Sequence, residues 1–281
     1  MRHIKSVLVV TSVMQKRARV YARKIIDYFL DRGVRCDLLP LKDLDRSDTT
    51  RHYDLAITLG GDGTVLCASR ILSPHSTPIL PINLGTFGFI TEIEASEWQE
   101  AIEQYETGTL VVATRILLEV TVLRDKSELH RFVGLNEAVI SSSGVAKLVN
   151  LSVSIRDQVL GAYRADGLII ATPTGSTAYS VAAGGPVLHP EMDAFIINPV
   201  CPFTLSHRPL VVPGNELLTV HIAENQRTEI IVTVDGQKAI PLQPNDTLTI
   251  SSYNERAHII RSPNRNFYDI LCGKLGWGEA L

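Results

Sequence analysis

Apolar and polar positions fall into two textures along the chain. Residues 7–10 form a continuous apolar run, the pattern of a strand buried on both faces of a parallel sheet. A helix is expected over 15–31. There Ala18, Tyr21, Ala22, Ile25, Ile26 and Phe29 recur at helical spacing, and Lys16, Arg17, Arg23 and Lys24 fall mostly on a solvated face. Gly33 ends this helix, and strands follow over 34–39, 53–59 and 78–82. Helices are expected over 64–72 and 95–107. This alternation predicts an open, mostly parallel sheet with helices on its faces, a Rossmann-like α/β domain.

After Gly108 the texture changes. Segments rich in Val, Ile, Leu and Thr predict strands over 116–123, 131–135, 138–142, 151–155, 168–172, 217–222, 229–234 and 247–251. Only 176–183 offers a helix. This second part reads as a β-rich, sandwich-like domain. The fold class is therefore α/β plus β, with an α/β domain over 1–110 and a β-rich domain over 111–252. Residues 253–281 are too apolar for a loose tail and are expected to pack back on the N-terminal domain.

The 281 residues are 45% apolar and 20% charged, which excludes a mainly disordered chain. The net charge of −3 lacks the electrostatic footprint of a general nucleic-acid binder but leaves room for a nucleotide substrate. Cys36, Cys67, Cys201 and Cys272 are far apart, which speaks against a zinc ribbon or a disulfide scaffold and for a reducing compartment. No apolar stretch approaches the ~18–20 residues needed to span a membrane, so a cytoplasmic protein without membrane attachment is expected.

The densest local signal is Gly60-Gly61-Asp62-Gly63-Thr64, between a strand and a helix. Its glycines let the backbone approach a ligand, and the helix start offers free N–H groups to phosphate. Asp62 either caps the helix, or accepts a proton or hydrogen bond from a hydroxyl, or holds a metal ion. A second polar turn, Thr172-Pro173-Thr174-Gly175-Ser176-Thr177, follows an apolar strand. Arg164 and Asp166 lie two apart, sharing a face in an extended chain, and either pair with each other or grip a polar ligand. Asn136-Glu137 is either a strand-end turn or a pair that takes ribose hydroxyls and a base edge. In Phe87-Gly88-Phe89 an aromatic either stacks on a base or covers the core. Asp235-Gly236-Gln237 reads first as a hairpin turn. No P-loop is present, and no Gly-x-Gly-x-x-Gly follows the first strand.

Together these residues carry a family resemblance. Gly60-Gly61-Asp62-Gly63-Thr64 resembles the phosphate-handling motif shared by NAD kinases, diacylglycerol and sphingosine kinases. Asn83-Leu84-Gly85-Thr86-Phe87-Gly88-Phe89, Asn136-Glu137, the run from Asp166-Gly167 to Tyr179, Gly184-Gly185-Pro186 and Asp235-Gly236-Gln237 follow the NAD kinase pattern in order. Phe87, Phe203 and Ala182 depart from it, standing where Leu, His and Ser are common in the family.

The resemblance implies phosphoryl transfer from ATP to the 2′-hydroxyl of the adenosine ribose of NAD. It assigns proton acceptance to Asp62, and donor phosphates to the loop of Gly60, Gly61, Gly63 and Thr64 with Mg²⁺ or another divalent ion. It assigns NAD binding to Asp62, Gly63, Asn136, Glu137, Lys147, Arg164, Asp166, Thr177, Ala178, Tyr179, Ser180, Val181, Ala182 and Gln237, with Phe89 a candidate for base stacking. It also implies a homodimer or homotetramer. The competing readings are a lipid kinase, which leaves the run from Asp166 to Tyr179 unexplained, and a non-catalytic dinucleotide-binding regulator, which has no need of Asp62.

Overall fold

The computed structural model describes residues 2–12, 16–41, 51–85, 88–144, 148–204, 206–237 and 239–277. The chain opens with β1 (Ser6–Thr11), α1 (Lys16–Leu30), β2 (Arg35–Pro40), β3 (Leu55–Gly60), α2 (Asp62–Leu72), β4 (Pro78–Asn83), β5 (Ile93–Glu94), α3 (Trp98–Thr107) and β6 (Val112–Arg115). There follow β7 (Leu118–Arg124), β8 (Ser127–Gly134), β9 (Glu137–Ser142), β10 (Val149–Ile155), β11 (Gln158–Ala165), β12 (Gly167–Ala171), α4 (Tyr179–Ala182) and β13 (Ala194–Val200). The last elements are β14 (Leu210–Pro213), β15 (Leu218–Ile222), β16 (Ile230–Val234), β17 (Ile240–Leu242), β18 (Thr247–Ser252), β19 (Ala257–Ile260) and α5 (Phe267–Leu275). Two compact units result, Met1–Thr114 with Ala257–Leu281, and Arg115–Arg256.

The first unit is built on a seven-stranded sheet of order β2-β1-β3-β4-β19-β6, with β5 also paired to β4. β1 to β5 and β19 pair in parallel, as the continuous apolar runs predict. All six residues of β3 are buried. α1 forms because Ala18, Ala22, Ile25 and Phe29 fall on one stripe, and all four are buried in the unit's core. Burying a side chain such as Ile25 or Phe29 stabilises the fold by about 1.5–3 kcal/mol. α5 starts at a capping box: the Asn266 side chain accepts from the Tyr268 and Asp269 amides, and Asp269 accepts from the Asn266 amide.

The second unit is a sandwich of two six-stranded sheets, β11-β10-β15-β18-β7-β8 and β14-β13-β12-β9-β16-β17, whose strands pair antiparallel among the described residues. Its core takes alternate residues of both sheets, such as Val149, Leu151 and Val153 of β10 facing Leu168 and Ile170 of β12. The intervening Ile169 and Ala171 are buried too, on the other face, under Ala183 and Leu188. β12 is therefore apolar at every position, and the segment after it is laid over the sheet.

That segment corrects one expectation. Residues 176–183 do not form one helix. A 3₁₀ turn, Gly175–Thr177, is separated from the single α-turn α4 by Ala178, whose backbone leaves the helical region (φ −98°, ψ −124°). Ser176 Oγ pulls the chain away from helix, bonding to Pro173 O at 2.6 Å and receiving the Leu188 amide at 3.0 Å. Among the described residues no helix is long and apolar enough to cross a membrane.

Candidate active site

β1, β3 and β4 run parallel, so their C-terminal ends share one edge, the usual ligand edge of an open α/β sheet. Gly60 ends β3 opposite Asn83, which ends β4. Gly61 is the N-cap of α2 and provides no side chain to it. Gly61 and Gly63 are exposed, and a methyl group on either would meet only open space. Thr64 is buried, its amide bonded to Gly61 O at 2.9 Å.

Asp62 does not act as a helix cap. Its carboxylate turns to the segment after β4, where Oδ2 accepts the Phe89 amide at 2.7 Å. Oδ1 accepts the Ile90 amide, the Thr91 amide and Thr91 Oγ1 at 3.0–3.1 Å. Hydrogen bonds to a carboxylate are charge-assisted, so this set fixes the side chain firmly. The closeness explains Gly88, where a methyl group would sit 1.8 Å from Asp62 Oδ1. With three donors on Oδ1 and one on Oδ2, the remaining lone-pair capacity of the carboxylate lies mainly on Oδ2. Phe89 is half-buried, and the Lys274 ammonium of α5 lies 5.2 Å from its ring centroid.

In the second unit, strand register brings together three stretches that are distant in sequence. Glu137 pairs with Ala171 at the end of β12, and Ala138 pairs with Val234 at the end of β16. The turn after β12 therefore lies against Asn136. The Thr172 amide bonds to Asn136 O at 2.8 Å, and Thr172 Oγ1 bonds to Leu135 O. A methyl group on Gly175 would come 2.2 Å from Asn136 O, so the approach there requires glycine. From the third stretch, the Asp235 carboxylate accepts the Leu135, Asn136 and Glu137 amides at 2.8–3.2 Å.

Three side-chain atoms at this junction are buried without a hydrogen-bond partner: Asn136 Oδ1, Glu137 Oε2 and Thr174 Oγ1. An unmet buried polar group costs roughly 1–3 kcal/mol, so three of them in one place make this junction a candidate binding site. Burial, and secondarily the charge of Asp235, push the Glu137 carboxyl up to about 7.

The other candidates lie elsewhere in this unit. Asp166 stands at the opposite end of β12 from Glu137, about 17 Å away for five strand residues. Asp166 and Arg164 are exposed and are not joined by an ion pair. The Arg164 guanidinium instead lies 5.0 Å from the centroid of the exposed Phe203 ring, and the Phe203 amide bonds to Arg164 O. Thr177 and Ala178 are half-buried, and Thr177 Oγ1 bonds to Thr174 O. Tyr179 is exposed on α4, with Ser180 buried, Val181 half-buried and Ala182 exposed. Gln237 closes the hairpin between β16 and β17, its amide bonded to Val234 O. Lys147 lies outside the described residues.

Four polar residues were not read as site residues from sequence. Thr174 and Asp235 belong to the junction above. Asn198 is fully buried, donates to Ser180 O at 2.9 Å and keeps Oδ1 without a partner. Asn83 is buried with Nδ2 unpartnered, while its Oδ1 accepts the Gly85 amide. The signal for Asn198 was an amide inside an otherwise apolar strand, and for Asn83 an amide closing one, each a costly burial unless it is used.

The profile of the ATP-NAD kinase N-terminal domain matches residues 11–110, and that of the ATP-NAD kinase C-terminal domain matches residues 135–262. The chain is 40% identical over 278 residues to an NAD kinase of Treponema denticola, a match covering 99% of this chain and 98% of that one. It is 33% identical over 288 residues to an NAD kinase of Geotalea daltonii, covering 98% and 100%. Its fold is similar to that of an NAD kinase from Archaeoglobus fulgidus in complex with ATP, with TM-score 0.74, 25% identity and coverage of 96% and 98%. It also shares the fold of yeast NADH kinase complexed with NADH, with TM-score 0.87, 23% identity and coverage of 99% and 89%. Profiles over most of the length and relatives matched nearly end to end show that the chain belongs to the NAD kinase family.

Proposed function

We propose a division of labour for the reaction this chain performs as a family member, transfer of the γ-phosphoryl group of ATP to the 2′-hydroxyl of the adenosine ribose of NAD. Asn136, Glu137 and Thr174 hold the acceptor nucleoside. The observation that carries this reading is their set of three buried, unpartnered polar atoms. A ribose presents hydroxyl donors that suit Glu137 Oε2 and Asn136 Oδ1. Asp166, at the end of β12 about 17 Å from Glu137, and Arg164, two residues before it in β11, serve a more distant part of the extended dinucleotide.

Gly60, Gly61, Gly63 and Thr64 offer the start of α2 to the donor phosphates. Asp62 receives a hydrogen bond from the attacking hydroxyl on Oδ2 and takes its proton. A ribose hydroxyl is far less acidic than a carboxyl group. In a loose phosphoryl-transfer transition state the proton therefore moves late, and Asp62 acts first by orienting the nucleophile.

Mg²⁺ or another divalent ion, when bound, neutralises charge on the donor phosphates. The residues fit an ion carried by the nucleotide, because Mg²⁺ at phosphates uses only one or two carboxylates. Among the described residues no cluster of three His, Cys, Asp or Glu side chains is placed to hold a metal alone.

The protein works in the cytoplasm, a setting in keeping with four cysteines that form no disulfide among the described residues. It assembles as a homodimer or homotetramer, in keeping with exposed Val159 and Leu160 on the edge strand β11. Light scattering of the purified protein tests the assembly, and a monomer refutes it. The test of function is purified protein with Mg-ATP and NAD, scored for NADP, beside Glu137→Ala. A rise in KM confined to NAD supports the assignment, and a rise confined to ATP places the pair on the wrong substrate.

A further inference from the structure

We propose that Asp235 is a positioning residue for NAD. From the turn between β16 and β17, its carboxylate holds the Leu135–Glu137 backbone in the one arrangement that presents the Asn136 and Glu137 side chains. The inference rests on the acceptor-site reading above.

The turn itself has no use for a carboxylate. Asp235 and Gly236 are both left-handed (φ 51° and 63°), and the Gln237 amide bonds to Val234 O at 3.1 Å. This is a left-handed turn whose backbone Asn-Gly suits as well as Asp-Gly. Yet Asp235 is buried, with 8% exposure, and burying a carboxylate is costly unless donors meet it. Among its partners are backbone amides of the segment entering β9: Leu135 on Oδ2 at 2.9 Å, Asn136 and Glu137 on Oδ1 at 2.8 and 3.2 Å.

The Asp235 amide returns a bond to Glu137 O at 2.9 Å, closing the connection from both sides. Consecutive amides converging on one anion form a nest, and the nest here is filled by the protein's own side chain. Fixing these three amides fixes the backbone from which the Asn136 and Glu137 side chains leave. The same carboxylate is the charged group that acts on Glu137, beside the effect of burial.

Asp235→Asn is the informative variant, because it keeps the turn and removes the anion. Its amide has one acceptor oxygen, and its NH₂ group faces the incoming N–H donors. Asp235→Asn and Glu137→Ala are assayed together for KM of NAD, KM of ATP and the pH profile. The expected result for both is a KM for NAD raised about tenfold or more, the consequence of losing charge-assisted hydrogen bonds, with KM for ATP within about twofold of wild type. In Asp235→Asn the pH limb set by Glu137 also moves to lower pH.

If Glu137→Ala raises KM for NAD and Asp235→Asn does not, the positioning role is overturned and the acceptor site stands. If Glu137→Ala has no effect on NAD, the acceptor reading itself fails. Equal rises in both KM values of Asp235→Asn, with the pH limb unmoved, show a general loss of structure and overturn the proposal. If Asp235→Asn does not fold, amide exchange of the wild type decides. Slow exchange at Leu135, Asn136 and Glu137 supports the clasp, and exchange as fast as in exposed loops overturns it.

Discussion

Glu137 makes the ligand-free protein pH-sensitive in a direction that can be worked out. Its carboxyl is raised from an ordinary value near 4.5 to about 7, first by burial and then by the charge of Asp235. In the unfolded chain it returns to the ordinary value. Below about pH 4.5 both states hold the proton and Glu137 adds no pH dependence. Between 4.5 and 7 the folded state keeps a proton that the unfolded state has lost, so stability falls as pH rises. Above 7 the loss is complete. The rise from 4.5 to about 7 sets its size on the order of 3 kcal/mol.

Glu137→Gln removes the titration with little change of shape. Urea unfolding of wild type and variant across pH 4.5–8 isolates the effect, since other titrating groups cancel in the difference. The variant is expected to gain on the wild type by up to about 3 kcal/mol at the alkaline end. Saturating NAD should shrink the gap, because a ribose hydroxyl donating to the carboxylate favours its charged form. A difference that stays constant across the range would falsify the reasoning, since Glu137 would then titrate like a solvated side chain.

Three further outcomes are expected. Asp62→Asn lowers turnover by about 10²–10⁴, the usual consequence of losing a general base, with NAD binding nearly intact. Steady-state kinetics and calorimetry check this, and turnover within a few-fold of wild type refutes the role. Gly175→Ala drives a methyl group into Asn136 O, so it costs at least about 1–3 kcal/mol of stability in thermal unfolding and raises KM for NAD. Unchanged values for both refute the close packing at that turn. Arg164→Gly frees the Phe203 ring and weakens dinucleotide binding by about 1–3 kcal/mol, changing the ratio of kcat/KM for NAD and NADH. An unchanged ratio, with both falling together, makes Arg164 a general contact rather than a specificity residue.

What could be read in the sequence follows from the range over which each signal acts. β3 and β12 were legible because burial on both faces leaves an uninterrupted apolar run. β11 was missed because it is an edge strand, mostly exposed, with Gly161 and Arg164 among its residues. β13 was missed because Asn198-Pro199 breaks its apolar run, although its backbone still pairs with β12 on one side and β14 on the other. The strand-helix boundary at Gly60 was legible, and Asp62 was singled out there. Its partners were not, because the amides it binds lie 27 to 29 residues away and any residue type supplies a backbone N–H.

Asp235 shows the limit most sharply. Read locally, Asp-Gly means a hairpin turn, and the structure contains that turn. A left-handed φ asks only for a residue that tolerates it, and Asn or Gly meets the same demand. The three amides that meet this acid lie 98 to 100 residues earlier in the chain. A turn signal and a clasp signal thus share the same two letters. Strand pairing alone separates them, by bringing the start of β9 beside the end of β16. Substituting Asp235 by Asn therefore tests whether the fold needs the turn alone or the charge as well.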